Sequence, residues 1–161
     1  MDTATSIIEQ ATCLYLKAEN ATTREYSVRD GFSTVFTDIF QEPTEVAVDG
    51  NILTEDEYKA MFWDNRNASV YNSVVINHLR GHKVTITANW IIPTELSDLI
   101  TKLNAVIASS KHSLVKSKKV EDFSVTYNDN TDVQQFLLDN SAIIEKYSIC
   151  GVIDIRSGSV C

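Results

Sequence analysis

The chain has 161 residues, 43% of them hydrophobic and 22% charged, with 14 basic against 22 acidic residues and a net charge of −8. That length suits one domain with a substantial core, and that composition excludes wholesale disorder. The acidic balance argues against DNA wrapping, which needs a dominant basic face, and no apolar run reaches the roughly 20 residues that span a bilayer.

The first residues, MDTATSIIEQ, carry an acid where a signal peptide needs bases, so export is not expected. Ile7, Ile8, Ala11, Leu14, Tyr15 and Ala18 recur at helical spacing, and Ser6 with Glu9 fits a capping box. The pattern predicts a first helix over about 6–19, ended by Asn20 and the Thr-rich run after it.

Residues 24–90 change period. REYSV, STVFTDIF, TEVAVDG, YKAMFW, SVYNSVVI and KVTITANW are rich in β-branched and aromatic residues and alternate in places. Turn signals separate them at Asp30-Gly31, Glu42-Pro43, Asp49-Gly50, residues 64–67 and Gly81. Asp49-Gly50 between EVAV and NIL is the strongest hairpin signal of the chain. Thr54 and Glu57 make a capping box that predicts at most one helical turn.

At Pro93 the helical period returns. Proline suits a first helical turn, Glu95 and Asp98 complement the positive end of the helix dipole, and Leu96, Leu99, Ile100, Leu103, Val106 and Ile107 form one stripe. KSKKVEDFSVTYND (116–129) follows, a lysine cluster leading into an alternating strand whose Phe123, Val125 and Tyr127 share a face. A third helix is predicted over about 131–147, with Val133, Phe136, Leu137, Ile143, Ile144 and Tyr147 inward. The tail 149–161 is apolar but broken by Gly151 and Gly158. The expected fold is α+β: a single domain over 1–161 whose helical body (about 6–20 and 91–148, three main helices) carries an inserted antiparallel β-subdomain (about 24–90) between helices 1 and 2, then an apolar C-terminal tail.

The motifs of chemistry are thin. His78 and His82 stand four apart but flank Gly81 and lack the glutamate of H-E-x-x-H, so they read as turn residues, and His112 as a solvated residue. Neither a G-x-S-x-G elbow, a P-loop nor a glycine-rich dinucleotide turn is present. Cys13, Cys150 and Cys161 show no C-x-x-C spacing and are odd in number, which suggests reduced, buried or terminal thiols, with Cys13 as core filling. Glu55, Asp56 and Glu57 are consecutive, without the alternating ligand spacing of a calcium loop. No catalytic, cofactor-binding or metal residue is assigned, and no cofactor is expected.

The order of motifs resembles the head–tail connector (adaptor) proteins of tailed bacteriophages. The resemblance rests on EPTEVAVDGNILTEDEY (42–58), HKVTITANWIIPTELSDLI (82–100), KSKKVEDFSVTYND and FLLDNSAIIEKYS, and covers about 6–148. Asn89-Trp90 stands where the family often has a glycine-aromatic pair, and the residues after Ser148 have no counterpart. It implies a non-enzymatic virion protein, assembled in the host bacterial cytoplasm, with no membrane partner. Its copies would form a homo-oligomeric ring, commonly a dodecamer, between the portal protein and a stopper or tail-completion protein. The ring would continue the channel through which genomic double-stranded DNA passes without sequence-specific binding. A ring of identical chains repeats one heterologous contact and so needs two complementary faces on each copy. The expected faces are acidic (Glu42, Glu45, Glu55, Asp56, Glu57) and basic with its strand (Lys116, Lys118, Lys119, Phe123, Val125, Tyr127). The tail (Ile149, Val152, Ile153, Ile155, Val160) is the expected portal contact, as an added strand or plug. The alternatives are another neck or tail-completion protein of stopper type, a small ligand-binding or enzymatic β-barrel, and an adaptor that binds peptides along a sheet edge.

Overall fold

A computed structural model describes residues 2–28, 32–62, 69–116 and 129–150, with side chains as far as 110 in the third stretch and from 132 in the fourth. The chain divides into two compact units, one from residues 1–12 and 93–148 that holds the described helices, the other from 13–92 and 149–161 that holds the described strands.

Among the described residues the sheet unit is a curled antiparallel half-barrel of seven strands. These are β1 (Glu19–Ser27), β2 (Thr34–Phe40), β3 (Glu45–Val48), β4 (Asn51–Ile52), β5 (Tyr58–Met61), β6 (Tyr71–Ile76) and β7 (Lys83–Trp90). β7 is the organising strand. One of its edges pairs with β1 from Lys83 to Trp90, while the other takes β3 along Val84–Thr87 and then the end of β2 at Phe40–Trp90. The link through Pro43 is therefore a kink in one continuous edge, because Gln41 and Thr44 donate their N–H groups to the Asn89 and Thr87 carbonyls. The front of β2 turns away to pair with β6, Thr34 against Val75, and the register shifts between Phe36 and Phe40. Such a bulge adds local twist, which is how one strand serves two neighbours and the sheet curls.

Alternation explains the core. Val84, Ile86, Ala88 and Trp90 of β7 point inward and meet Phe40, Val46, Val48, Val74 and Ile76. Trp90 and Phe40 are buried, their rings tilted 5.5 Å apart, with Tyr71 and Tyr26 continuing the aromatic row at either end. Each such ring contributes about 2–3 kcal/mol by burial. The Trp90 indole N–H is satisfied by the Thr22 carbonyl at 2.7 Å. The Asp49-Gly50 hairpin forms as expected between β3 and β4: both residues have positive φ, 47° and 83°, as a type I′ turn requires.

The helical unit holds α1 (Thr3–Thr12), α2 (Thr94–Lys116), α3 (Asp129–Asp139) and α4 (Ser141–Tyr147). Helix α1 packs on α2 and α4, and α3 on α2 and α4. Ala4, Ile8, Leu96, Leu99, Leu103 and Tyr147 are buried in this unit. Pro93 supplies the first accepting carbonyl of α2, for the Ser97 N–H. Glu95 in its first turn accepts from Lys146 Nζ and Tyr147 Oη of α4, both at 2.6 Å.

Three expectations are corrected. The protein is mostly sheet with helices after it, not a helical bundle with an inserted β-subdomain. The chain is in β1 by Glu19, and α1 is only 10 residues long. Helix 1 stops at Thr12 because Cys13 adopts φ 57°; Leu14 and Leu16 are buried by extended alternation rather than on a helical stripe. The single helix expected over 131–147 is two helices, broken at Asn140, whose backbone is non-helical and whose amide donates to the Phe136 carbonyl. Asparagine competes for the backbone in this way and favours helix ends. The strand expected within 116–129 lies largely outside the described residues.

Candidate functional site

Two charged assemblies stand out in the sheet unit. The first is internal. In the register of β1 on β7, Arg24 lies opposite Ile86 and Tyr26 opposite Val84, so both share the face of core residues. Arg24 stands over the Trp90 ring at 4.4 Å and the Tyr15 ring at 4.9 Å. Its Nη1 donates to Asp38 Oδ2 (2.8 Å) and its Nη2 to Glu19 Oε2 (3.1 Å) and the Lys17 carbonyl (2.8 Å). Asp38 also accepts from Tyr26 Oη and the Tyr15 N–H. The Lys17 ammonium and then Arg24 hold the Glu19 carboxyl below the usual range, while burial and then the Asp38 charge push the Tyr26 phenol far upward. Through these bonds the cluster fastens β1, β2 and β7, although the buried Arg24 Nε is left without a hydrogen-bond partner among the described residues.

The second assembly is at the surface. Thr54 and Glu57 close the expected capping box: Glu57 Oε2 accepts from the Thr54 N–H (2.7 Å) and its hydroxyl (2.9 Å), and one turn forms at residues 55–57. The bond from the Thr54 N–H, then that from its hydroxyl, lowers the Glu57 carboxyl. Beside this turn is a cleft of about 380 Å³ with Val48, Leu53, Ile76 and Leu79 as apolar lining and Asp56, Glu57 and Arg80 as charged lining. Such a concavity fits an apolar anchor from a protein partner with polar contacts around it.

The acidic residues divide. Glu55, Asp56 and Glu57 share the turn at the cleft. Glu42 accepts from Tyr71 Oη (2.9 Å) after β2, and that bond raises the Tyr71 phenol. Tyr58 on β5 is raised by burial and then by Glu55 and Glu42, which places both acids within its electrostatic reach. Glu45 stands apart on β3, opposite Thr87. Lys116 ends α2, while Lys118, Lys119, Phe123, Val125 and Tyr127 lie outside the described residues. Ile149 is buried, at 3% exposure, and so presents no docking surface; Val152, Ile153, Ile155 and Val160 also lie outside.

Among the described residues no group of three His, Cys, Asp or Glu side chains is gathered to hold a metal ion, and no helix is long and apolar enough to cross a membrane. His78 occupies a turn at φ 55°, and the His82 carbonyl accepts from Val28. The cysteines overturn the expectation of unpaired thiols: Cys13 and Cys150 are disulfide-bonded. No spacing rule reveals that pair, and the Arg24–Asp38 pair is equally silent in sequence, except that Arg24 and Tyr26 alternate within REYSV.

Comparison of the chain with protein-family models and with curated proteins gives no match.

Proposed function

We propose that this chain is a structural, ring-forming adaptor of a tailed-phage neck, seated between the portal and the stopper or tail-completion proteins and extending the DNA channel. The observation that carries the reading is the cleft beside the acidic turn 55–57, a concave, mixed apolar and charged surface suited to a protein anchor. Two of the four segments behind the resemblance support it: a hairpin at Asp49-Gly50, and β7 leading through Ile91-Ile92-Pro93 into α2. An acidic chain also suits a channel wall, because a basic bore would grip phosphates. The alternative within the same resemblance is a neighbouring neck component of stopper type.

Native mass spectrometry and negative-stain microscopy of the purified chain, alone and with portal protein, test the adaptor. Rings, alone or on the portal, are the expected result. A chain that stays monomeric beside saturating portal sinks it, and capture by an adaptor ring instead selects the stopper reading.

A further inference from the structure

Cys13 and Cys150 meet from opposite ends of the chain, 137 positions apart, with Cα atoms 5.1 Å from each other. That separation lies in the range a disulfide spans without backbone movement. Cys13 follows the last residue of α1 and has φ 57°, a left-handed backbone at a helix end where glycine or asparagine is favoured. Cys150 comes three positions after the end of α4, beside the buried Ile149. The bond thus ties the chain just past α1 to the chain just past α4.

We propose that Cys13 and Cys150 form a reversible redox clasp, a dithiol in a reducing milieu that closes when the protein enters an oxidising one. The oxidant is a small-molecule disulfide. One cysteine thiolate attacks a sulfur of oxidised glutathione, forming a mixed disulfide and releasing one glutathione. The second cysteine then displaces the other glutathione. Two protein sulfurs are oxidised, one glutathione disulfide is reduced, and the two thiol protons leave on the two glutathiones. Closure constrains the unfolded chain over nearly its whole length, where loop-closure stabilisation is greatest. The clasp goes beyond the ring reading and stands whether or not rings form.

The test uses the full-length protein, equilibrated with dithiothreitol or with oxidised glutathione, alkylated under denaturing conditions and mapped by peptide mass spectrometry. The expected result is three alkylated cysteines after reduction and, after oxidation, a Cys13–Cys150 linked peptide with Cys161 either alkylated or carrying one glutathione. Oxidation should raise the Tm by about 5–15 °C, and Cys13→Ser and Cys150→Ser should each abolish that difference. Three free thiols after oxidation, or a linked peptide containing Cys161, would overturn the pairing. A bond that survives native-state incubation in excess reduced glutathione would overturn its reversibility. Both wild-type outcomes are read without any variant having to fold.

Discussion

The Arg24 guanidinium lies 4.4 Å over the Trp90 ring and donates to Asp38 at 2.8 Å, so a charge on the core-facing side of the sheet meets an aromatic face and a carboxylate at once. Arg24 and Asp38 side chains are only 10% and 13% exposed, which sets this pair apart from the surface ion pairs. Breaking a buried pair strands its partner and typically costs about 3–5 kcal/mol, whereas exposed pairs contribute little. Arg24→Met is expected to lower unfolding stability by about 3 kcal/mol, and a double-mutant cycle with Asp38→Asn should give a coupling of about 1–3 kcal/mol. Urea titrations that return additive effects would show that the two do not act as a unit.

Tyr26 supplies a signature at high pH. Its phenol is raised by burial first and then by Asp38, so the folded state favours the neutral form. A group raised on folding stabilises fully below its unfolded value, near 10 for tyrosine, and loses that contribution as pH climbs toward the folded value. Stability should fall above about pH 10, and Tyr26→Phe should flatten the decline. Ultraviolet tyrosinate titration against denaturant midpoint checks both, and an unchanged alkaline slope in the variant removes Tyr26 as the cause.

The acid limb has the opposite sign. Lys146 and then Tyr147 lower the Glu95 carboxyl, Lys17 and then Arg24 lower Glu19, and Thr54 lowers Glu57. Carboxyls depressed on folding stabilise above their unfolded value and lose that contribution as pH falls. The Tm should hold through neutral pH and drop below about pH 4.5. Glu95→Gln should soften the drop in a Tm series from acid to neutral pH, modestly, since the group is half exposed.

Two glycines separate backbone conformation from crowding. Gly50 has φ 83° with open space around a notional Cβ, while at Gly81, φ 151°, that atom would collide with the Asp49 and Val48 side chains. Asp49 is fixed there by accepting from the Lys83 N–H at 3.0 Å. Gly50→Ala should cost about 1 kcal/mol and Gly81→Ala about 2–3 kcal/mol, by chemical denaturation. Equal losses would mean that the Asp49 side chain gives way freely.

What could be read before folding was local. Asp49-Gly50, Thr54 with Glu57, and Pro93 carry their signals within a few residues, and each forms the turn or helix start its chemistry requires. The misread features are settled by conformation and side-chain competition rather than by spacing. Leu14 fits a helical stripe and an extended alternation equally well, and only the buried Leu16 and the left-handed Cys13 choose between them. Counting Asn140 within one helix overlooked its own side chain as a competitor for the Phe136 carbonyl. The contacts from Arg24 to Asp38 and from Cys13 to Cys150 depend on register and topology, which no periodicity encodes. For the candidate interface, the acidic turn was legible as composition, but its cleft needed residues from β3 and from the end of β6.

The threefold partnership of β7 has a temporal side. β1, β2 and β3 all precede it in the chain, and each leans on residues between Lys83 and Trp90. Pairings such as Glu19 with Trp90 close long stretches of chain, the class of contact that slows folding. During synthesis the first eighty or so residues wait as strands without their centre. β3 with β4, and β2 with β6 and β5, can pair beforehand. But β1 and β3 join the sheet only once Lys83–Trp90 has cleared the ribosome, captured by the last of the described strands to be made.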